Sequence, residues 1–566
     1  MRPVQEREDR LVESPAPVCE ENVSRESNAS PSTIHEANDM LQEEFHDASA
    51  DPLPETSCPP ETEVLEDCPV VEDRRYPTRD RKPPDYFSYH TLAEDREPQT
   101  YSQAMRDDDA DKWKSAMQDE YDSLMKMNTW KLVDRPDRKI IPCKWVYKLK
   151  TDTHAAEMDL KMHHLDVDTA FLNGDLEEEV YMDQPQGFVK KGHEDKVCLL
   201  QKSLYGLKQA PRAWNIKLNE TLSKIGFNRL PTEPCVYKKL IGSEIILLAI
   251  FVDDLIIFYK NDISYVKVKS DLQKYFSLKD LGPLKYYLGI NIDCNDGKVT
   301  INQKSYITSL LKKYALQNAK EFDTPLANSK LAADSEGKES TYDYQQIIGC
   351  LMYLAVNTRP DIAFAASYLS QFNTKCGKIH WLAAKRVLQY LKRTIDYSII
   401  YRKTGKPLMG YTDADWANCT SDRRSYTGYC FKLADGPVSW ASKKQPTVAL
   451  SSTEAEYMAL TEAAKEATYL RRFIAQVCSN NDQYPTITLY SDSQSAQNLA
   501  YNPVNHGRTK HIDTKFHFIR EKVSDNIIKL KFISSSNMSA DVLTKCLGKT
   551  AHQRCIQGLG LINLPS

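Results

Sequence analysis

The chain has 566 residues, 14 cysteines and a formal net charge of −4. This length is enough for several domains, each with its own core. The cysteines are scattered without a Cys-x-x-Cys pair, which indicates reduced thiols rather than a disulfide framework. Neither a signal peptide nor an apolar stretch long enough for a membrane helix is recognisable, so we expect an intracellular protein without a membrane partner.

The N-terminal region differs in charge from the rest of the chain. Residues 1–73 carry 4 Lys and Arg against 20 Asp and Glu, whereas the remainder carries 70 against 58. Because residues 1–98 are rich in Glu, Asp, Pro and Ser, they are predicted to form a disordered acidic tail and a basic linker. A basic patch at 74–84 is either a nucleic-acid or nuclear-import signal or, more commonly, a solvated linker. The basic body suits a polyanionic partner.

Order is expected to begin near residue 111 with an amphipathic helix. One apolar stripe recurs there at helical spacing, formed by Trp113, Met117, Tyr121 and Leu124. A strand is predicted after the helix, with one apolar face and one mostly basic face. The apolar face consists of Cys143, Trp145, Tyr147 and Leu149.

Two aspartates stand at the turn of an apolar hairpin. The apolar runs 245–252 and 255–258 predict buried strands, and Asp253 and Asp254 lie between them. Adjacent carboxylates repel each other and are costly to desolvate. A divalent cation offsets this cost, and a third carboxylate upstream, Asp166, favours a metal site over an ordinary polar turn.

Three segments carry a resemblance to a known family. They are residues 166–188, with Tyr-Met-Asp-Gln-Pro at 181–185, residues 203–214, with Leu-Tyr-Gly-Leu-Lys-Gln-Ala-Pro-Arg-Ala-Trp, and Phe-Val-Asp-Asp at 251–254. Their order and length resemble the reverse transcriptase of copia-type LTR retrotransposons. The resemblance extends from about residue 74 almost to the C-terminus. It implies an RNA-directed DNA polymerase joined to a ribonuclease H (RNase H).

The resemblance assigns catalytic roles in the polymerase palm to three acids. Two Mg²⁺ ions, or Mn²⁺ as the alternative, would be held by Asp166, Asp253 and Asp254. Phe171 falls where reverse transcriptases place an aromatic ring under the incoming sugar, although an ordinary core role fits equally well. Gly206 and Pro211 mark the loop and helix that support the template base in the family.

The fingers depart from the family pattern. Residues 150–154 run almost directly into 155–160, so the family's basic hairpin and helix are missing. Their Lys and Arg side chains would clamp the incoming triphosphate. Two alternatives to a complete polymerase therefore stay open. One is an enzyme with RNase H activity only, and the other is a non-catalytic nucleic-acid-binding transposon remnant.

A second group of acids beyond residue 400 resembles the RNase H of the same elements. The resemblance implies that two further metal ions are held by four acids from separate elements, Asp413, Glu456, Asp492 and Asp541. Glu454 competes with Glu456, but with Ser451 it fits a capping box, so Glu456 is the preferred ligand.

A basic loop near residue 510 is a candidate substrate contact. Arg508, Lys510 and His511 either contact phosphates or belong to an ordinary solvated loop. Retroviral RNase H carries a histidine shortly before its last aspartate, but Ser-Ser-Ser-Asn stands at 534–537 here.

The predicted fold class is α+β. It combines an antiparallel right-hand polymerase palm, a helical thumb and connection, and an RNase H-like domain with a mixed sheet. The predicted regions are an N-terminal tail and linker at 1–98, truncated fingers at 99–155, the palm at 156–290, the thumb and connection at 291–400, the RNase H domain at 401–548 and a C-terminal tail at 549–566.

The resemblance also implies partners and a location. The expected partners are an RNA template, a DNA primer, an RNA–DNA hybrid and deoxynucleoside triphosphates, with other polyprotein products as further candidates. The expected location is the cytoplasm, in a virus-like particle, with a nuclear phase as an addition.

Overall fold

The computed structural model describes most of the chain from residue 100 onwards. The described residues are 16–19, 100–106, 109–141, 143–146, 160–295, 297–327, 331, 343–419, 421–478, 484–501 and 513–564. The N-terminal tail, which is expected to be disordered, and the basic patch therefore lie outside the described residues. The exception is a strand at Ala16–Cys19, which pairs with Cys143–Val146. The shortened stretch 147–159 also lies outside. Within the described residues, no helix is both long and apolar enough to span a bilayer.

The fingers region contains the predicted amphipathic helix, Ala110–Lys126. Trp113, Met117 and Leu124 are buried on its inner face, which confirms the apolar stripe. Glu120 is buried on the same face. A short helix, Tyr101–Ala104, precedes it. Four strands form the adjoining sheet in the spatial order Trp130–Val133, Val197–Lys202, Asp175–Met182 and Ile140–Ile141.

The palm sheet is antiparallel, as predicted, and has six strands. In spatial order they are Leu278–Pro283, Lys161–Val167, Asp254–Tyr259, Glu244–Phe251, Val236–Ile241 and Asn228–Arg229. Leu165 and Ile257 point to the same face, where they pack against the helices Ala210–Lys224 and Asp262–Gln273. The pleat of the strands places one row of side chains in this core and the next row on the opposite face, where Met162 and Ile256 belong to a second apolar cluster.

The thumb and connection region is not purely helical, which corrects the prediction. Its helices are Lys304–Lys313, Tyr344–Asn357, Ala363–Ser370 and Lys378–Arg393. A five-stranded connection sheet accompanies them, in the order Tyr286–Tyr287, Ile290–Asn295, Lys298–Asn302, Tyr397–Arg402 and Leu561–Asn563. The hairpin around Gly297 follows from two short alternating runs separated by Asp296-Gly297, a sequence typical of tight turns.

The expected C-terminal tail is instead folded. Residues Lys549–Leu559 form a helix, and Leu561–Asn563 pair with Tyr397–Arg402. Cys555, Ile556 and Leu559 are buried in the core of the connection region. Their helical spacing provides the apolar face that holds this segment in place.

The third large sheet is mixed, as the RNase H expectation requires. Its strands are Gly436–Lys444, Tyr426–Leu433, Met409–Ala414, Ile487–Ser491 and Ile528–Phe532, the first three antiparallel and the last three parallel. The hairpin between Tyr426–Leu433 and Gly436–Lys444 turns at Ala434 and Asp435, which both have positive φ. A long helix, Ser452–Cys478, crosses the sheet, and Gln494–Tyr501 and Asp513–Ser524 pack beside it.

Candidate active sites

The RNase H-like domain brings three of the predicted acids together. Asp413 lies on the central strand, Asp492 directly follows the neighbouring parallel strand, and Glu456 lies near the start of the long helix. Because parallel strands end at the same sheet edge, their acids meet there. One ligand oxygen from each carboxylate lies within 4.8 Å of the others. Among the described residues, this is the only group of three or more such side chains that meets this distance.

The burial of the site makes its negative charge costly. Asp413 is 1% exposed and Glu456 is 9% exposed. Burial, followed by repulsion from Asp413 and Asp492, raises the pKa of Glu456 well above its ordinary value. Among the described residues, no group hydrogen-bonds the buried Glu456 Oε2. An unpartnered carboxylate oxygen in an all-oxygen cluster suits a hard divalent cation, so the side chains fit Mg²⁺ or Mn²⁺.

The competing glutamate occupies the helix start instead. The backbone N–H of Glu454 donates to Ser451 Oγ at 3.2 Å, and the Glu454 carboxylate accepts from the Leu450 N–H at 2.8 Å. These bonds satisfy amide groups that have no partner within the helix. The structure therefore places Glu456, and not Glu454, in the acidic cluster.

Asp541 approaches the cluster from a separate 3₁₀ turn, Ser539–Leu543. It lies outside the three-residue group, but Lys545 joins it to Asp413. The Lys545 Nζ lies 2.9 Å from Asp541 Oδ1 and 3.3 Å from Asp413 Oδ2. Burial and the Asp413 charge raise the pKa of Asp541. The Thr544 hydroxyl also donates to Asp413 Oδ2.

Sequence reasoning gave no role to several of these neighbours. Lys545 stands four residues after Asp541, a helical spacing typical of an acid–base pair, and this signal was available. Ser535 lies in the stretch where the retroviral histidine is missing, and its hydroxyl donates to Asp492 Oδ2 at 2.6 Å. Asp415 lies two residues after Asp413. Burial, together with the Asp413 charge, raises the pKa of Asp415 to about 6.

The palm places its three predicted acids at one end of the sheet. Asp166 and Asp254 are direct partners on neighbouring antiparallel strands, and the Val167 N–H donates to the Asp253 carbonyl at 2.9 Å. Asp253 lies in the two-residue turn of the hairpin, after Val252, which has a φ of +57°. A β-branched residue seldom adopts this conformation, so the turn is strained beside the acids.

Side chains that the sequence analysis did not single out surround the palm acids. His164 Nε2 lies 2.6 Å from Asp254 Oδ1, and its ring meets Tyr287 edge-on. Burial, followed by the charges of Asp254 and Asp253, raises the pKa of Tyr287. His164 stands two residues before Asp166 on one strand, so the two side chains share a face. This two-residue spacing along the strand was the sequence signal that could have identified His164.

The remaining predicted site residues have different outcomes. Phe171 is half-buried in the 3₁₀ turn Ala170–Asn173, with its ring edge-on to Tyr205 at a centroid distance of 4.6 Å. Burial and the Asp253, Glu120 and Asp166 charges raise the pKa of Tyr205, which places this pair beside the acids. Gly206 has a φ of +92° in the following loop, and Pro211 lies in the first turn of the helix Ala210–Lys224. The basic loop residues are outside the described residues: Arg508, Lys510 and His511.

An antiparallel palm sheet with three acids at one end, followed by a mixed sheet with clustered carboxylates, defines a reverse transcriptase joined to an RNase H-like domain. Residues 153–328 match the family described as reverse transcriptase (RNA-dependent DNA polymerase). The chain belongs to the Pol polyproteins of copia-type LTR retrotransposons.

Two relatives and one solved structure illustrate what the chain is similar to. The retrovirus-related Pol polyprotein from transposon TNT 1-94 of Nicotiana tabacum is 38% identical over 547 residues, which cover 87% of this chain. The chain spans 40% of that relative's length. The putative transposon Ty5-1 protein of Saccharomyces cerevisiae is 38% identical, over 53% of this chain and all of that protein. A solved foamy viral protease–reverse transcriptase in complex with double-stranded DNA has 13% identity and a TM-score of 0.43, and covers 75% of this chain and 70% of that one.

Proposed function

We propose that this chain is an RNA-directed DNA polymerase with RNase H activity from a retrotransposon polyprotein. The observation that most directly supports the nuclease part of this proposal is the cluster of Asp413, Glu456 and Asp492, in which the buried Glu456 Oε2 has no hydrogen-bond partner among the described residues. Such a cluster is costly without a cation, because Asp413 and Glu456 are buried and the three close carboxylates repel one another.

The chain's acids would hold the metal ions at both sites. In the RNase H domain these residues are Asp413, Glu456, Asp492 and Asp541, and in the palm they are Asp166, Asp253 and Asp254. Two Mg²⁺ ions per site, or Mn²⁺ in their place, supply charge neutralisation and an activated oxygen nucleophile when bound. Ser535 would keep Asp492 oriented through its 2.6 Å hydrogen bond, and Thr544 would do the same for Asp413.

The proposed substrates follow from the two activities. The palm would use an RNA template, a DNA primer and deoxynucleoside triphosphates, with Phe171 under the incoming sugar and Gly206 and Pro211 supporting the template base. The edge-on contact with Tyr205 would fix the Phe171 ring. The RNase H domain would cleave the RNA strand of an RNA–DNA hybrid, with the basic loop near residue 510 contacting phosphates. Other polyprotein products are further proposed partners, in a cytoplasmic virus-like particle with a nuclear phase.

A second candidate is an RNase H whose polymerase is inactive. Within the described residues, the palm acids do not form a group as close as the RNase H cluster. Asp254 is also engaged by His164. Together with the missing basic fingers segment, this favours retention of nuclease activity over polymerase activity. A non-catalytic nucleic-acid-binding remnant is the third candidate.

Two assays on the full chain test these alternatives. Hybrid cleavage in Mg²⁺ should be abolished by Asp492→Asn and unaffected by Asp525→Asn, a matched change at an exposed helix end. Primer extension on an RNA template should be abolished by Asp253→Asn and unaffected by Asp195→Asn, which lies on an exposed loop. Cleavage without extension would leave the second candidate. Tight hybrid binding with neither activity would leave the remnant, and cleavage that persists in Asp492→Asn would refute the nuclease assignment.

A further inference from the structure

The acids of the RNase H cluster are unequally compensated. Asp413 Oδ2 accepts from the Thr544 hydroxyl and lies 3.3 Å from the Lys545 ammonium, which also contacts Asp541 at 2.9 Å. In contrast, Glu456 Oε2 is buried with no hydrogen-bond partner among the described residues. The Lys545 ammonium therefore lies on the Asp413–Asp541 side of the cluster, and the oxygen without a hydrogen-bond partner, Glu456 Oε2, lies on the other side.

We propose that Lys545 is a built-in cation that competes with a divalent ion for the Asp413–Asp541 side of the nuclease site. This inference rests on the proposed RNase H function and deepens it. The site would bind one divalent cation tightly through Asp413, Glu456 and Asp492. It would bind a second one only when the Lys545 ammonium leaves Asp541.

The geometry supports competition rather than coexistence. The ammonium lies 2.9 Å from an oxygen of Asp541 and 3.3 Å from an oxygen of Asp413, so it already contacts the oxygens that a cation between these acids would use, and it repels a divalent charge nearby. The Lys545 side chain is 35% exposed, so it has a route to solvent on its flexible stem. Leaving the site would free one Asp541 oxygen and one Asp413 oxygen together.

A purely structural ion pair is the competing explanation, because Lys545 also ties the 3₁₀ turn Ser539–Leu543 to the strand that carries Asp413. The two explanations differ in what removal of the charge does to metal binding. If Lys545 only holds the turn in place, its loss lowers stability and leaves or weakens metal affinity. If it competes with an ion, its loss strengthens the second binding step.

Manganese titration of the full chain, followed by electron paramagnetic resonance, tests the proposal. An Asp253→Asn background weakens the palm contribution, and ions lost on adding Asp413→Asn are assigned to the nuclease site. In Lys545→Met the second Mn²⁺ should bind at least about tenfold more tightly than in the parent chain. Lys545→Arg should behave like the parent because it keeps the charge. Lys465→Met is the matched control, since Lys465 forms a surface pair with Glu462.

The outcomes separate this proposal from the proposed function. Equal or weaker second-ion affinity in Lys545→Met overturns the inference, even if hybrid cleavage is intact. If no Mn²⁺ binding depends on Asp413, both the inference and the metal-dependent nuclease assignment fall. If Lys545→Met does not fold, Lys545→Gln serves in its place, with the same tenfold expectation. A fall in the Mg²⁺ concentration for half-maximal hybrid cleavage provides an independent supporting measurement.

Discussion

The buried ion pair between Arg359 and Asp361 should be the most sensitive structural point of the connection region. Both residues are 1% exposed. The Arg359 guanidinium donates to both oxygens of Asp361, at 2.9 and 2.6 Å, and to the carbonyl and hydroxyl of Thr394, at 3.0 and 2.6 Å. The Tyr390 hydroxyl donates to Asp361 Oδ2 at 2.6 Å. Loss of one of these side chains would therefore leave a buried polar group of another without its hydrogen-bond partner.

Asp361→Asn removes the negative charge and leaves Arg359 as a buried, uncompensated cation. Breaking a buried pair in this way costs about 3–5 kcal/mol. Amide exchange that depends on opening of this core should consequently accelerate by more than about a hundredfold, since each 1.4 kcal/mol is a factor of ten. Hydrogen–deuterium exchange of peptides from the helix Lys378–Arg393 measures this, without assuming that the whole chain unfolds in one step.

An exposed pair in the same region provides the control. Arg393 lies 2.9 Å from Asp323, but its side chain is 47% exposed, so Arg393→Met should cost less than about 1 kcal/mol. A combined Arg359→Met and Asp361→Leu change should cost less than Asp361→Asn alone, because no unpaired charge remains. Exchange in Asp361→Asn that rises less than about fivefold would refute the argument.

Three further predictions concern other parts of the molecule. Gly428→Ala should cost about 1–3 kcal/mol in denaturant unfolding and weaken Mn²⁺ binding, because a Cβ there would lie 2.7 Å from Leu543 in the turn that carries Asp541. Gly349→Ala, where the added Cβ would lie in open space on a helix, should instead stabilise the protein by up to about 1 kcal/mol. Equal stability changes in Gly349→Ala and Gly428→Ala would contradict the packing argument. Burial raises the pKa of Glu120 from 4.5 to about 7, so its folded form holds the proton more tightly and stability falls as pH rises through this window, by at most about 3 kcal/mol. Glu120→Gln should make the thermal unfolding midpoint less dependent on pH between these values, and an unchanged pH dependence of the midpoint would contradict this. Deletion of residues 549–566 should lower the unfolding midpoint and increase exchange in the strand Tyr397–Arg402, which would lose its edge partner.

Local sequence patterns were sufficient to predict individual helices and strands that have a clear apolar period. The helical stripe of Trp113, Met117 and Leu124 and the apolar runs around Asp253 are burial patterns with a period that the sequence displays. The site acids came from motif resemblance. The choice of Glu456 over Glu454 combined that resemblance with the chemistry of a helix start, where Glu454 and Ser451 form a cap.

Long-range pairings could not be obtained in this way. The strand Leu561–Asn563 has three residues and pairs with Tyr397–Arg402, far away in the chain, so no local pattern indicates the partner. The contacts of His164 with Asp254 and of Arg359 with Thr394 likewise depend on neighbours supplied by tertiary packing. Buried charges are uncommon, and a sequence does not reveal that their partners converge.

The predicted boundary between the connection and the RNase H domain does not separate two cores. Leu351 and Leu388 of the connection belong to the same apolar cluster as Tyr426 and Leu543 of the RNase H region. The Trp440 indole N–H also donates to a connection carbonyl, that of Ala355, at 2.7 Å. Since Leu543 lies in the turn that carries Asp541, the position of this acid depends on packing against the connection helices. The polymerase-side helices are consequently part of what holds the nuclease site in shape, and a change that loosens them should disturb the acids without contacting any of them.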